Sequence, residues 1–184
     1  MKARHADAKL VLVGFSSGGG FALHAAATPA GKLFERTVLL SPMLGVRAPT
    51  VRAGGDAWAR PFVPRILALL LLDRLGIHAF EHLPVLAFAI DPARADLLTG
   101  RYSFLLMRAF GTTDYAADLR KASSPIVVLV GEKDELFDAQ LFAPTIAAVR
   151  PDVAVAVVPA LNHIEMTTDP RAVPAIVAAM RGAP

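Results

Sequence analysis

Leu10–Ala27 reads LVLVGFSSGGGFALHAAA, and the order of its parts decides the fold. The apolar run Leu10–Val13 predicts a short buried strand, and the helix-forming run Phe21–Ala27 follows a glycine-rich turn. Between them lies Gly14-Phe15-Ser16-Ser17-Gly18, a G-x-S-x-G pattern in the strand-turn-helix context of a nucleophile elbow. Such a turn strains the backbone of its central residue and projects that side chain above the sheet. Gly14 and Gly18 are expected to let strand and helix approach closely on either side of Ser16. Gly19 and Gly20 weaken the first helical turn by about 1 kcal/mol each relative to alanine, a cost that propensity alone does not explain. Taken alone, the pattern also fits a glycine-rich βα turn with an incidental serine. A phosphate-cradling loop fits less well, because neither GxxxxGK[ST] nor GxGxxG is present and no lysine opens the helix.

The 184 residues are enough for one domain with a substantial core, and 54% hydrophobic with 19% charged residues is a globular composition. The net charge of +3 is small and its basic residues are scattered, which argues against nucleic acid as a partner. The absence of cysteine excludes disulfides, thiolate metal sites and a cysteine nucleophile, and suits a reducing, cytoplasmic setting. Leu10–Val13 is too short for a signal-peptide core. Ile66–Leu72, between Arg65 and Asp73, falls well short of the roughly 20 apolar residues that a bilayer requires. No transmembrane segment is expected.

Along the chain, Met1–Lys9 reads as a polar terminus, and Thr28-Pro29 ends the first helix. Thr37–Ser41 (TVLLS), Pro125–Gly131 (PIVVLVG) and Val153–Val158 (VAVAVV) are further short apolar runs, read as buried parallel strands. Helices are predicted at Asp114–Lys121, at Phe137–Val149 with Pro144 kinking or restarting it, and from Asp169-Pro170 or Pro174 to just before Gly182. Between Leu44 and Thr112 this rhythm stops. That segment holds Trp58, most of the aromatics and the turn signal Ala53-Gly54-Gly55-Asp56. Helices are predicted there from Pro64 to Leu75, ended by Gly76, and from Thr99 to Phe110, where Tyr102, Leu105, Leu106 and Phe110 recur at helical spacing. Its apolar excess fits either ordinary core packing or an inserted lid lining an apolar cleft.

A serine hydroxyl attacks poorly until an imidazole takes its proton, and a carboxylate fixes the tautomer of that imidazole. Asp134 follows one predicted strand, in Gly131-Glu132-Lys133-Asp134, and His163 follows another, in Asn162-His163. In a parallel sheet these loops emerge at the edge that carries Ser16. The neighbouring carboxylates Glu132, Glu135 and Asp138 are read as solvated loop charges. His24 is expected to pack beneath the elbow helix, while His78, His82 and His5 are given structural or surface roles. No spacing points to a metal site, and no cofactor is called for.

Together VLVGFSSGGG, VLLSP, VVLVGEKDELF and VPALNHIEM resemble the C-terminal part of a serine α/β-hydrolase, similar to the lysophospholipase and monoacylglycerol-lipase branch. The resemblance implies that residues 1–184 form a partial α/β-hydrolase domain with a helical lid at 44–112. It implies Ser16 as nucleophile, Asp134 as acid, His163 as base and the Ser17 N–H as one oxyanion donor. It also implies that strands preceding the elbow, and a second oxyanion donor, come from a missing N-terminal part or a partner chain. Loss of one such donor costs about 10² to 10³ in turnover, and Leu10–Val13 would form an open edge. The function implied is hydrolysis of small-molecule carboxylic esters with apolar acyl groups through an acyl-serine. The alternatives are a peptidase or thioesterase of the same fold, or a non-catalytic hydrolase-like binding module.

Overall fold

The computed structural model describes residues 9–53, 59–90, 99–110 and 114–182. The expected polar terminus up to residue 8 (with His5), Trp58, and Gly54 to Asp56 of the turn signal lie outside the described residues. In chain order the elements are β1 (Val11–Phe15), α1 (Ser17–Ala26), β2 (Arg36–Leu40), β3 (Ala59–Pro61), α2 (Val63–Arg74), β4 (Pro84–Phe88), β5 (Arg101–Ser103) and α3 (Phe104–Phe110). There follow α4 (Tyr115–Lys121), β6 (Ile126–Gly131), α5 (Ala139–Ala147), β7 (Ala154–Val158), α6 (Glu165–Thr168) and α7 (Val173–Arg181). They divide into two compact units, one of Met1–Arg52 with Thr112–Pro184 and one of Ala53–Gly111.

The first unit is built on a parallel sheet in the order β1-β2-β6-β7, with Gly14 opposite Leu39, Leu40 opposite Leu129, and Gly131 opposite Val158. The central strands are covered on both faces, so they read as unbroken apolar runs rather than alternating ones. Val38, Leu40 and Leu129 join Met166, Ala172 and Ala179 in one core cluster, together with Ala175 and Ile176 of α7. Leu39 and Val128, equally buried, point to the opposite face. There Thr37 buries its hydroxyl against Ser124 Oγ at 2.8 Å. Helix α1 packs on β1, β2 and α4, and α5 packs on β6 and β7. Asp114 caps α4 by accepting from Ala117 N at 2.9 Å, and Asp138 caps α5 by accepting from Gln140 N at 3.1 Å. Helix α5 runs through Pro144. The last helix is prefaced by a 3₁₀ turn, Pro170–Ala172, capped by Asp169, and it ends at Gly182 with φ 79°.

Strand β1 extends two residues beyond its apolar run, through Gly14 and Phe15, and α1 starts at Ser17, so that Gly19 and Gly20 lie in its first turn as expected. All four strands end at one edge of the sheet, and the loops after β1, β6 and β7 carry Ser16, Asp134 and His163.

The second unit contains a three-stranded antiparallel sheet, β3-β4-β5, beside α2 and α3. Its core is Leu69, Val85 and Phe104, with Ile66, Leu72 and Leu83 packed around them. Helix α2 follows its expected course to Arg74, and Gly76 turns the chain at φ 74°. The helix expected over Thr99–Phe110 forms only from Phe104 onward. Arg101–Ser103 pairs with β4 instead, and Ser103 Oγ accepts the Leu106 N–H at 3.2 Å at the start of α3. The Tyr102 ring packs on Phe88 at 4.7 Å and on Phe110 at 5.5 Å, so the helical spacing of these aromatics belongs to a cluster across elements. The unit begins at Ala53, not at Leu44. Val51 bridges to Phe137, and Arg52 N donates to Leu136 O at 3.0 Å, which keeps residues 44–52 with the first unit. Among the described residues no helix is long and apolar enough to cross a membrane.

Candidate active site

Ser16 occupies the turn between β1 and α1 with φ 52° and ψ −122°, a conformation that costs a non-glycine residue on the order of 1–3 kcal/mol. Four hydrogen bonds hold it there. Its N–H donates to Leu40 O at 2.9 Å, and its carbonyl accepts from Gly19 N at 2.9 Å, Gly20 N at 3.2 Å and Met43 N at 2.9 Å. A Cβ on Gly14 would come within 2.4 Å of Gly18 O and 2.6 Å of Ala22 Cβ, so strand and helix meet there with no room for a side chain. The second tight position is Gly19, where a Cβ would lie 2.8 Å from Pro42 Cβ, and not Gly18, where a Cβ meets nothing within 4 Å. Gly18 thus does not play the close-approach role expected of it, and Gly19 is kept bare by Pro42, from the loop after β2.

His163 links the other two residues. Its Nε2 lies 2.9 Å from Ser16 Oγ, and its Nδ1 lies 2.8 Å from Asp134 Oδ2. The second carboxylate oxygen of Asp134, Oδ1, accepts from Leu136 N at 3.0 Å and Phe137 N at 2.9 Å. Burial by itself raises the pKa of Asp134. The His163 hydrogen bond and charge, the Phe137 N–H and the nearby Ser41 hydroxyl outweigh it and hold the carboxyl below its ordinary 3.8. An ionised Asp134 only accepts, so Nδ1 carries the proton and Nε2 is left to accept from the Ser16 hydroxyl. Both Asp134 and His163 are 1% exposed. The imidazole is walled by Phe15 at 4.8 Å and Phe137 at 5.3 Å between ring centres. Next to Ser16, the Ser17 N–H opens α1, where a helix offers no internal acceptor.

Several supporting groups were not legible as such. Glu132 and Glu135 are not merely solvated, since Glu132 Oε2 accepts from Ala160 N at 2.8 Å and Glu135 Oε2 accepts from His163 N at 3.0 Å. Arg52 Nε donates to the carbonyls of Asp134, at 2.9 Å, and Phe137, at 3.1 Å. Ser41 is fully buried with φ 39°, and its hydroxyl, without completing a hydrogen bond, favours the ionised form of Asp134. No motif announces these contacts, because each joins residues far apart in sequence or uses an ordinary side chain on a backbone group.

The other described histidines have partners or settings of their own. His24 does not pack beneath α1; its side chain is 61% exposed and Nδ1 meets Asp118 at 3.1 Å. In the second unit, Asp73, His78 and Glu81 bring ligand-type atoms within 4.8 Å of one another, a grouping that sequence spacing did not announce. Arg108 pairs there with Asp73, and with Glu81 at 3.7 Å, so a guanidinium already balances the acids. His82 is exposed.

The sequence matches the family model described as serine aminopeptidase, S33, over residues 1–171. The chain belongs to this hydrolase family. Solved structures agree with that assignment at the level of fold. The S33-family chain is similar to a monoacylglycerol lipase from Paleococcus ferrophilus, with 17% identity and a TM-score of 0.61, covering 97% of this chain and 69% of that one. It is similar to a candidate aryl esterase from Burkholderia cenocepacia, with 19% identity, a TM-score of 0.62, and coverage of 98% and 68%. It also resembles E-2-(acetamidomethylene)succinate hydrolase, with 21% identity, a TM-score of 0.55, and coverage of 98% and 69%. No curated protein matches it significantly. The S33-family chain is therefore a member of a hydrolase family and has the α/β-hydrolase fold.

Proposed function

We propose that this hydrolase cleaves carboxylic esters of apolar acyl groups through an acyl-serine intermediate. The hydrogen-bonded line from Ser16 Oγ through His163 to Asp134 carries the proposal. Ser16 Oγ attacks the carbonyl carbon while His163 Nε2 takes its proton; the Ser17 N–H donates to the oxyanion, and Asp134 stabilises the imidazolium. Collapse of the intermediate expels the alcohol, which leaves with the proton from Nε2. Water then attacks the acyl-Ser16, gives its proton to His163 and releases the acid, returning the proton to Ser16. The preference for apolar acyl groups draws on the Paleococcus ferrophilus lipase named above and on the exposed Phe62, Leu67, Leu71 and Phe80 of the inserted unit. We read that unit as a lid, from its place between β2 and α4 and its apolar surface.

A fluorophosphonate probe is expected to label Ser16, and Ser16→Ala to abolish labelling. Labelling of another serine, or none in an active preparation, refutes the assignment. The family description favours one second reading, cleavage of an N-terminal peptide bond by the same residues. Faster turnover of aminoacyl anilides than of p-nitrophenyl esters would establish it. A non-catalytic binding role is excluded if esterase activity is measured and disappears in His163→Ala.

A further inference from the structure

Glu135 follows Asp134 in the loop that leaves β6, and its carboxylate accepts the backbone N–H of His163 at 3.0 Å. Asp134 takes the same histidine by its ring, accepting from Nδ1 at 2.8 Å. Two adjacent residues therefore hold His163 at two points, its imidazole and its main chain. The same loop is laced to the histidine loop upstream, where Glu132 Oε2 accepts from Ala160 N at 2.8 Å and Lys133 N donates to Leu161 O at 2.8 Å. Downstream, Asn162 and Glu165 bond reciprocally at the start of α6, with Asn162 N to Glu165 Oε2 at 2.8 Å and Glu165 N to Asn162 Oδ1 at 3.0 Å. Glu135 thus anchors, within the Asn162–Glu165 turn, the backbone N–H of the residue that bears the imidazole.

We propose that Glu135 is a positioning residue for His163, fixing the main chain from which the imidazole reaches both Asp134 and Ser16. The proposal rests on His163 acting as the base for Ser16. A buried backbone N–H that loses its acceptor turns toward another, and rotation of that peptide plane carries the side chain with it. Misplacing a reacting group by on the order of 1 Å costs about 10²-fold in rate. Glu135 is exposed, so water replaces part of the lost bond, and the expected effect of Glu135→Ala is a fall in kcat of about 10-fold. KM is expected to stay unchanged, since Glu135 contacts the main chain of His163 and not the Ser16 hydroxyl.

The test compares the parent protein with Glu135→Ala, Glu135→Gln, Glu135→Lys and, as a control, Glu35→Ala. It measures steady-state hydrolysis of p-nitrophenyl butyrate, the rate of fluorophosphonate labelling of Ser16, and thermal melting. Glutamine keeps an oxygen acceptor and should restore kcat toward the parent value, whereas lysine cannot accept and should behave like alanine. Glu35→Ala removes only an exposed pair with Lys9, outside the histidine loop, and should leave kcat near the parent value. An unchanged kcat in Glu135→Ala, a loss that glutamine does not restore, or a change confined to KM overturns the proposal. An unlabelled parent refutes the serine-hydrolase reading itself. A labelled parent with equal labelling rates in all variants refutes only the role of Glu135.

Discussion

Replacing Asp134 by asparagine exchanges one oxygen for an NH2 group and inverts the hydrogen bonding at His163. Asp134 Oδ1 is held by the N–H groups of Leu136 and Phe137 at 3.0 and 2.9 Å, so the amide oxygen of the substituted side chain has to take that place. The amide nitrogen then occupies the Oδ2 position, 2.8 Å from His163 Nδ1, where it can only donate. Nδ1 becomes an acceptor, the ring proton moves to Nε2, and Nε2 loses the lone pair that would take the Ser16 proton. The geometry is kept and the tautomer is wrong, a change worth about 10⁴ in kcat in the chymotrypsin-type triad. We expect a loss of about 10³ to 10⁴ here. Folding stability should change by no more than about 1–2 kcal/mol near neutral pH, since a hydrogen bond survives on each side of the amide. Steady-state ester hydrolysis with parallel urea unfolding measures both. A folded Asp134→Asn protein retaining more than a tenth of the parent kcat would refute the reasoning.

The lowered pKa of Asp134 gives a pH signature. Its folded value lies below its unfolded one, so the stabilisation is fully present above about pH 4 and is lost as pH falls through the folded value; unfolding of parent and Asp134→Asn proteins compared down the acid range should show the parent losing more stability. Gly14→Ala, which drives a Cβ to 2.4 Å from Gly18 O, should destabilise by about 1–3 kcal/mol, while Gly18→Ala, with open space, should stabilise by up to about 1 kcal/mol. Denaturant melts decide, and equal effects at the two glycines would sink the packing argument. Among the described residues β1 pairs on one side only, with β2, so we propose that its other edge takes a further strand, from preceding polypeptide or from a partner chain. Sedimentation of the 184-residue chain should then show self-association, and a stable monomer counts against it.

Much of the first unit was legible because its signals are local. A short apolar run flanked by turn residues declares a buried strand, and Gly14-Phe15-Ser16-Ser17-Gly18 requires one particular backbone turn. The meeting of Ser16, Asp134 and His163 was also legible, since parallel strands deliver their following loops to one edge. What local signals misread was the inserted unit. Tyr102 and Phe110 fit a helical period, yet pairing with β4 holds Arg101–Ser103 extended, because the strand partner lies outside any window that periodicity inspects.

By itself the sequence determined the parallel strands, the elbow and the three residues whose loops converge above the sheet, because each depends on neighbours along the chain. Only the tertiary structure decided which glycine must be bare, since Gly19 meets Pro42 from beyond β2 while Gly18 meets nothing. It alone decided that Glu132 and Glu135, in sequence two ordinary loop acids, hold Ala160 and His163. Those contacts depend on how two distant loops pack, and a carboxylate that accepts a backbone N–H leaves no mark in the pattern of residue types.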